Sequence, residues 1–581
     1  TWEGVRPIIR NDVEAYDDTL RAIGWNHQVG IGENWTLTAD IGTSRGERDQ
    51  RILEIYAVLP EGVGDTLRAR LNPEGYFDLD FGFDYSNPSV LRLADPGGWG
   101  GDRAQAGYLK DFRIEDKLTS ARLDLERRFD GGMFSSLRFG TNFTDRSKSR
   151  GSVENTLCLT AGCEASNNVF VPVPTQFVNG ATTVFGGTRI MSLDTLGILN
   201  GGPYTLRRKD DKDITNKNWV VDEKVVSTYL QANIDGDLGS IPVRGNVGVQ
   251  AVSVDQESRG FATFAGNPIG NPFRGGTSYT DVLPSLNLVF SLPADQIMRF
   301  AAARQVARPR MDDMRASADY GIRTSGNITG TPCAALPCWS GGGGNPELRP
   351  WKADAYDLAY EKYFDGFRGY FSAAYFYKDL KTYIYDRPLP FDYTGFELPP
   401  GSILVPPSNI GEYSAPANGE GGTIKGFEYS LSVPFDILWE PLRGFGLQAS
   451  YTETSTSVSP NGPGTSEPLP GFSRYTSNAT LYYENHGFSV RASRRSRSAF
   501  RSTFQGFGGD LEFQNIAGEA VVDLQLGYAI QSGPLKGLNF LLQGGNLTDE
   551  PFRTQENNRE DRPINYFEYG RYYLFGVNYR F

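Results

Sequence analysis

The last ten residues of the chain, YYLFGVNYRF at 572–581, alternate between two kinds of position. Tyr573, Phe575 and Val577 share one face of an extended segment, whereas Asn578 lies on the other. Period-two alternation of this kind predicts a β-strand with one apolar face and one more polar face. Such strands occur in soluble sandwiches as well as in membrane barrels, so the alternation alone does not decide the class.

The same alternation recurs along the chain, and the connections between the alternating segments separate by length. Short polar turns such as 130–132 and 484–487 alternate with long loops. This arrangement is typical of an outer-membrane β-barrel, which has short turns in the periplasm and long loops outside the cell. The sequence therefore predicts an all-β fold, an antiparallel transmembrane β-barrel of the outer membrane with long extracellular loops and short periplasmic turns. The long loops are 59–105, 146–218, 258–278, 308–350, 382–420, 456–470, 501–513 and 549–568.

The alternation predicts about 17 strands, with boundaries good to about two to four residues. Bacterial barrels close with an even number of strands, so an odd count predicts that at least one strand is missing on the N-terminal side. The predicted strands are 14–29, 34–58, 106–129, 132–146, 219–235, 242–257, 279–291, 296–307, 351–363, 367–381, 421–433, 443–455, 471–484, 487–500, 514–530, 537–548 and 569–581.

Composition excludes several classes of protein. The chain has 581 residues and a formal net charge of -12, so it lacks the basic surplus of a nucleic-acid-binding protein. No run of about 20 apolar residues is present, which excludes transmembrane helices. The two histidines, His27 and His486, are far apart, and we expect neither an enzyme nor a bound metal or cofactor. Residues 1–3 lack the features of a signal peptide, so we expect a mature chain or a fragment.

Four cysteines form two pairs with the same local spacing, Cys158 with Cys163 and Cys333 with Cys338. Both pairs lie in stretches rich in Gly, Asn and Pro that read as loops. Close pairing within loops predicts two short disulfides formed in an oxidising compartment. The alternative is a zinc site of four thiolates that joins the two loops, although the C-x2-C spacing common among zinc ligands is missing.

Two further stretches have the composition of ligand loops without the required spacing. Residues 341–344 are four glycines, but no GK[ST] motif follows them, so they predict a flexible loop rather than a phosphate site. The charged run at 209–213 does not have EF-hand spacing. We expect solvated charge at this run and no calcium.

Several motifs follow one another over residues 283–581. They are 283–288 (LPSLNL), 345–354 (NPELRPWKAD), 424–428 (IKGFE), 545–550 (GNLTDE) and the aromatic C-terminal segment 570–581. As an ordered set, these motifs resemble the barrel region of TonB-dependent outer-membrane receptors and transporters. Residues 10–56 and 112–150 match more loosely, and they look most like the proteobacterial members that import oligosaccharides.

The resemblance implies an N-terminal signal, a TonB box, a plug domain and a barrel of about 22 strands. This chain has no stretch that matches the first three. The last strand of such a barrel runs towards the periplasm. Because 17 strands alternate in direction, the first strand of this chain should also run towards the periplasm, which is the direction of an even-numbered strand such as the sixth of the whole barrel. We therefore expect residues 1–581 to be the C-terminal part of the barrel, with about five strands and the plug upstream. Its expected partners are the TonB–ExbB–ExbD energising complex, reached through the plug, and outer-membrane lipid and lipopolysaccharide.

Large aromatic residues stand in loops that are otherwise built from small residues. Sugars expose apolar C–H faces beside many hydroxyls, so they bind to aromatic platforms flanked by polar groups. Trp99, Trp339, Tyr320, Tyr393 and Phe396 are therefore the candidate substrate-binding residues. The alternative is that these side chains pack the loops against one another or lie at the membrane rim.

A basic run lies on one predicted strand. Alternation places Arg491, Arg495 and Arg497 on the side of the lumen. These side chains could select an anionic substrate, and the run could also contact lipopolysaccharide phosphates. The alternative is that they form ion pairs within the lumen, with residues such as Glu484 or Asp523.

The leading functional hypothesis is TonB-dependent uptake of an oligosaccharide across the bacterial outer membrane. The second hypothesis is a ferric-siderophore receptor, which a cluster of basic residues in the lumen would favour. A hypothesis of another class is an adhesin or surface-complex barrel whose loops bind a protein or glycan without transport.

Overall fold

The computed structural model shows a chain dominated by one large sheet. The structure describes residues 1–101, 103–183, 187–209, 212–264, 267–268, 273–326, 331–364, 366, 368–396, 398, 404–459, 466–505, 511–556 and 559–580. Phe581 and the acidic residues 210–211 of the charged run lie outside the described residues. Among the described residues, no helix has the length and apolar character needed to cross a membrane.

Seventeen long strands of the described residues follow one another across the sheet, each antiparallel to the next in the chain. They correspond one by one to the predicted strands, so the predicted all-β antiparallel fold is confirmed. The strands are β1 Ile8–Ile31, β2 Trp35–Val58, β3 Gly107–Arg128, β4 Phe134–Leu159, β5 Trp219–Leu238, β6 Ile241–Gly260, β7 Phe273–Leu292, β8 Gln296–Ala307, β9 Trp351–Phe364, β10 Gly369–Asp392, β11 Ile410–Pro434, β12 Phe445–Val458, β13 Tyr475–Asn485, β14 Phe488–Arg497, β15 Glu519–Ala529, β16 Leu538–Gly545 and β17 Tyr572–Tyr579.

Several strands extend further on the side of the long loops than predicted. β4 ends at Leu159 instead of 146, and β11 begins at Ile410 instead of 421. The extension of β4 pairs with Tyr204–Lys209, and the extension of β11 pairs with the end of β10. The predicted loops at 146–218 and 382–420 are therefore wrong in part, because loop segments supply the backbone partners that lengthen these strands.

The loops contain short elements of their own. The helices are α1 Thr195–Gly201 and α2 Lys212–Thr215, and the 3-10 turns are Pro88–Val90, Ala165–Asn167, Thr175–Phe177, Phe435–Ile437 and Glu440–Leu442. The short strands are Trp2–Val5, Asp65–Leu71, Phe77–Phe81, Arg92–Leu93, Val171–Pro172, Val178–Thr183, Arg189–Leu193, Tyr204–Lys209, Ala262–Phe264, Asn267–Pro268, Ala318–Arg323, Cys338–Gly343, Phe500–Gln505, Leu511–Ile516, Phe552–Gln555 and Pro563–Phe567.

The long strands separate their residues onto two faces. Leu123, Phe139 and Leu230 lie on the outer face and expose 50, 54 and 46% of their surface. Arg138 and Tyr229, their direct neighbours in sequence, lie on the inner face, where both bind the same carboxylate. The exposed apolar side chains form the band that an outer-membrane barrel presents to hydrocarbon, while polar residues line its interior.

The short connections use backbone in the left-handed region. His486 (φ 49°) and Gly487 (φ 84°) form a two-residue turn between β13 and β14. Two consecutive residues with positive φ match the twist of the flanking strands. Ala294 (φ 59°) lies in the corresponding turn between β7 and β8. His486 is therefore a turn residue, and the other histidine, His27, stacks on Trp25 on β1 with ring centroids 5.3 Å apart.

β1 and β17 are the edges of this series of strands. Seventeen strands that alternate in direction give the first and the last the same direction. No pairing joins β1 to β17 within the described residues. An antiparallel closure therefore needs an odd number of further strands between them. The upstream strands expected from the sequence stay a prediction.

The largest buried core lies beside the long loops rather than in the middle of the sheet. Leu53 and Ile55 of β2 and Leu157 of β4 are fully buried there. Leu93 and Met191 reach the same core from two different loops. The loops after β2 and β4 therefore form a packed layer over the ends of the first strands, held by buried apolar surface.

We expect Leu230→Arg to impair assembly of the protein in the membrane far more than Gln231→Arg. Leu230 lies on the apolar outer face and Gln231 on the polar inner face, and an arginine within the lipid-facing band costs about 2–4 kcal/mol. The measurement is the fraction of folded protein, followed by heat-modifiable gel mobility during a urea titration. Equal effects of the two variants would contradict the assignment of the faces.

Candidate functional site

Four of the predicted substrate platforms come together in one cluster among the long loops. Tyr320, Trp339, Tyr393 and Phe396 pack with Phe264, and we call these five residues the loop aromatic cluster. Trp339 and Tyr393 stack with ring centroids 5.3 Å apart, and Tyr320 meets the edge of Phe396 at 4.7 Å. Tyr320, Trp339 and Tyr393 are buried. Their ring faces therefore contact one another and join the loops that follow β6, β8 and β10.

The four-glycine run is part of this packed region. Cys338–Gly343 is a strand that pairs antiparallel with Ala318–Arg323. A Cβ atom at Gly343 would lie 2.2 Å from the carbonyl oxygen of Ser317, a distance that only glycine permits. The prediction of a flexible loop at 341–344 is therefore wrong, because glycine here allows two backbones to approach closely.

Both cysteine pairs are disulfides. Cys158 is bonded to Cys163, and Cys333 is bonded to Cys338, with Cα atoms 5.0 and 5.9 Å apart. The predicted disulfides are confirmed, and the four-thiolate zinc site is not formed. The second disulfide directly precedes Trp339 and so restrains the segment that leads into the loop aromatic cluster.

Trp99 lies apart from that cluster. It belongs to the loop between β2 and β3, where Asp95 accepts hydrogen bonds from the backbone N–H groups of Gly97 and Gly98 at 3.0 and 2.8 Å. One edge of the indole meets the Tyr56 ring at 5.3 Å, while 45% of the residue remains exposed. Of the five aromatic candidates, Trp99 keeps the largest open surface.

The basic run on β14 is largely occupied by ion pairs. Nε of Arg491 donates to Glu484 at 3.0 Å, and Nε of Arg497 lies 3.0 Å from Glu519. The predicted ion pair between Arg491 and Glu484 is therefore confirmed. Arg495 lies on the same face and makes no ion pair in the part of the chain that the structure describes. It is the member of the run that stays open to an anionic ligand.

A cavity of about 600 Å³ opens on the inner face of β3 to β8, and none of the predicted site residues lies in it. We call it the inner-wall cavity. Its lining includes the guanidinium groups of Arg122 and Arg138, the ring of Tyr229 and the amides of Gln231 and Gln250. These residues are polar positions spread over four strands, β3 to β6, so no local motif identifies them. The only signal in the sequence is their alternation with the apolar residues of the outer face.

A buried carboxylate organises one wall of this cavity. Asp124 accepts hydrogen bonds from Nη2 of Arg138 at 2.9 Å and from the Tyr229 hydroxyl, and Nη2 of Arg122 donates to that hydroxyl at 2.9 Å. Gly140 faces the tyrosine, and a Cβ atom there would lie 2.5 Å from the ring. The missing side chain at Gly140 thus makes room for Tyr229, and the carboxylate holds both arginines in place.

The chain that leaves β8 folds back onto the inner wall. Met311 and Met314 pack against Trp219, and the Asp312 carboxylate accepts a hydrogen bond from Lys148 at 2.6 Å. Burial acts to raise the pKa of Asp312, but the hydrogen bond and charge of Lys148 hold that pKa below its usual range. Asp313 is also half-buried, and this burial raises its pKa. The ionised form of Asp312 therefore stabilises the docked segment.

The NPELRP stretch that follows this segment ties two parts of the wall together. Leu348 is fully buried, and Nε2 of Gln256 on β6 donates to the carbonyl oxygens of Pro346 and Leu348 at 2.7 and 2.8 Å. The Arg349 backbone N–H donates to Asn418 on β11 at 2.9 Å, and the Asn418 amide donates back to the Arg349 carbonyl at 2.8 Å. This stretch therefore closes the inner side of the wall near the long loops.

A comparison with protein-family models finds a match over residues 60–547, to the model described as "TonB dependent receptor-like, beta-barrel". No curated protein matches the chain.

Solved structures that are similar to this chain include two receptors and one transporter. The siderophore receptor PiuA from Acinetobacter baumannii matches with a TM-score of 0.50 and 12% identity over 97% of this chain and 74% of that chain. The ferric-catecholate import receptor Fiu from E. coli K12 matches with a TM-score of 0.49 and 15% identity over 94% and 64%. The ferric citrate transporter FecA matches with a TM-score of 0.44 and 12% identity over 98% and 78%. The chain thus spans less than two thirds of Fiu, and identities this low show likeness of fold alone.

We expect Trp339→Ala to loosen the long loops, because truncation of a buried aromatic side chain costs about 3–5 kcal/mol. Trp99→Ala is the control, since Trp99 is half exposed and its removal leaves no closed cavity. Limited proteolysis and hydrogen exchange of 318–343 measure the effect. Unchanged protection in Trp339→Ala, together with a loss of ligand affinity, would show instead that Trp339 contacts the ligand directly.

We expect the segment around Asp312 to stay docked at neutral pH and to loosen in acid. An aspartate whose pKa is lowered by folding contributes stability above its unfolded pKa of about 3.9, and that contribution is lost as the pH falls through the folded value. Asp313, with a raised pKa, contributes in the opposite direction, so Asp312→Asn isolates the effect. In Asp312→Asn, the protection factors of the 308–316 amides, measured by hydrogen exchange between pH 3 and pH 7, should no longer fall in acid. A fall in acid as large as that of the wild type would contradict the assignment.

Proposed function

This chain belongs to the TonB-dependent receptor family of the bacterial outer membrane, and we propose that it forms the barrel part of a transporter that imports an oligosaccharide. TonB-dependent receptors work with the TonB energising complex. We assign energy coupling to the TonB–ExbB–ExbD complex, acting through a plug domain upstream of this chain. The shared direction of β1 and β17 supports further strands between them, since a closed antiparallel wall requires an odd number there.

The inner-wall cavity is the observation that carries the sugar assignment. Its volume of about 600 Å³ falls in the range of small-molecule sites. Amide and hydroxyl groups from Asn142, Ser227, Gln231 and Gln250 line it beside the Tyr229 ring. A polyhydroxylated ligand needs many donors and acceptors together with an aromatic face, and this lining supplies both.

Trp99 extends this proposal to the extracellular side. Its half-exposed indole stands on a loop whose backbone is held by the Asp95 carboxylate, so the ring is presented in a fixed orientation. We assign it to the first contact with a sugar ring. The buried members of the loop aromatic cluster, such as Trp339 and Tyr393, support the loops and do not present a ring face.

Uptake of a ferric siderophore is the second candidate function. It is favoured by basic side chains on the inner wall, where Cζ of Arg150 lies 4.7 Å from the centre of the Phe112 ring and Nη1 of Arg315 donates to the Asp312 carbonyl at 3.0 Å. Cations beside an aromatic ring suit an anionic ferric complex. The solved siderophore receptors share the fold at identities too low to transfer their ligands.

The test is uptake by cells that carry the full-length receptor. We expect accumulation of a labelled oligosaccharide to require the receptor and to disappear when TonB is deleted. Labelled ferric siderophores, supplied in parallel, should not accumulate through this receptor. Accumulation of ferric complexes alone would discard the sugar assignment and support the second candidate, whereas uptake that persists without TonB would contradict energised transport.

Trp99→Ala should weaken binding of that oligosaccharide about threefold to tenfold, because one aromatic contact contributes about 0.5–1.5 kcal/mol. The matched control is Trp439→Ala, since Trp439 is also exposed but lies in the short connection between β11 and β12. Equal affinities in both variants would remove Trp99 from the binding site without affecting the role of the cavity.

A further inference from the structure

The charged lining of the inner-wall cavity has one sign. Arg122, Arg138 and Arg304 contribute to it, and no carboxylate does so among the residues that the structure describes. Arg304 is already paired, with Nε 2.8 Å from Asp354. Arg122 and Arg138 are therefore the two cations of the lining whose hydrogen-bonding state decides what the cavity can bind.

These two guanidinium groups share a single hydrogen-bonded carboxylate. Arg138 binds Asp124 directly, whereas Nη2 of Arg122 lies 3.8 Å from the same carboxylate and donates to the Tyr229 hydroxyl instead. The next acidic group, Glu126, lies 4.0 Å from Nε of Arg138, beyond hydrogen-bond distance. That Nε is buried and makes no hydrogen bond within the described residues. A ligand in the cavity cannot reach that nitrogen, but Nη1 of both arginines also makes no hydrogen bond in the described wall. The side chains of Arg122 and Arg138 are 44 and 33% exposed, so these Nη1 donors remain available.

Asp124 also fixes the direction in which these donors can act. Only 3% of its side chain is exposed, so the carboxylate stands behind the arginines instead of facing the cavity. A buried acceptor on one side of a guanidinium group holds its planar set of donors in place for an acceptor on the other side. A ligand then binds to arginines that are already oriented, which lowers the cost of ordering them.

We propose that the inner-wall cavity selects a sugar acid, with the carboxylate of a uronate unit bound by Arg122 and Arg138. The hydroxyls of the same ligand bind to the amides of Gln231 and Gln250 across the cavity. This inference rests on the proposed import of an oligosaccharide and names the class of that substrate. Paired arginines match the two oxygens of a carboxylate, and a neutral sugar leaves their donors unmet.

The experiment is a calorimetric titration of the full-length receptor in detergent. The ligands are a uronate trisaccharide, its methyl ester of the same length without the charge, and ferric citrate. We expect the acid to bind about tenfold or more tightly than the ester. The double variant Arg122→Gln/Arg138→Gln should remove this preference, because it weakens binding of the acid much more than binding of the ester.

Two further variants separate binding from folding. Arg244→Gln is the matched control, because Arg244 is an exposed inner-wall arginine paired with Asp235 near the short turn after β5, and it should keep the preference for the acid. Gln231→Glu places a second negative charge beside the carboxylate of the bound acid, so it should weaken binding of the acid more than binding of the ester. The thermal midpoints of all variants are measured, and Gln231→Glu decides the question if the double variant does not fold.

Each outcome has a distinct meaning. Equal affinities for the acid and the ester in the wild type overturn this inference and leave sugar import standing. A preference for the acid that survives both the double variant and Gln231→Glu places the carboxylate elsewhere and also overturns it. Binding of ferric citrate without binding of either sugar overturns the proposed function itself.

Discussion

Backbone amide and carbonyl groups that enter hydrocarbon must be paired within the protein, and the rest of this structure follows from that constraint. It requires continuous antiparallel pairing from β1 to β17, and pairing of that kind sends successive side chains to opposite faces. Leu230 then faces lipid and Tyr229 faces the interior, although they are adjacent in sequence. Neighbouring residues of one strand thus face lipid and interior in turn. Polar residues that bind a ligand can therefore belong to the strands themselves, on their inner face.

The same constraint explains which parts of the fold could be predicted. Within the membrane the two faces meet different surroundings, so the period of two is visible in the sequence, and all seventeen strands were found. Beyond the membrane that contrast disappears. Leu53 and Ile55 are buried by loops, and the Leu157–Leu159 end of β4 is buried throughout. Residues 147–151 (SKSRG) are half-buried and polar on both faces of β4, before the buried end begins. Neither part has an apolar face that alternates with a polar one, which is why the predicted strand 132–146 stopped short.

The sequence likewise showed some residues of the candidate site but not the contacts between them. Aromatic residues in small-residue loops were visible as candidates, but the contact between Trp339 and Tyr393 joins two loops that are distant in sequence. Nothing local distinguishes an aromatic ring that meets another ring from one that meets a ligand. The inner-wall cavity was invisible for a related reason, since Arg122, Arg138 and Tyr229 meet only through the register of β3, β4 and β5. Register depends on pairing along the whole strand and cannot be read from any one segment.

Selectivity in such a wall depends on unmet donors rather than on the number of cations. Arg146 and Asp116 illustrate the common case, a two-bond pair in which the guanidinium and the carboxylate satisfy each other. Pairs of this kind hold the wall together, yet they offer a passing ligand little, because binding would first have to break them. Asp124 serves both Arg122 and Arg138 and leaves donors over. In an interior of reduced dielectric those donors favour an anion more strongly than they would in water. An inner surface can therefore carry many arginines and still discriminate between ligands at one point.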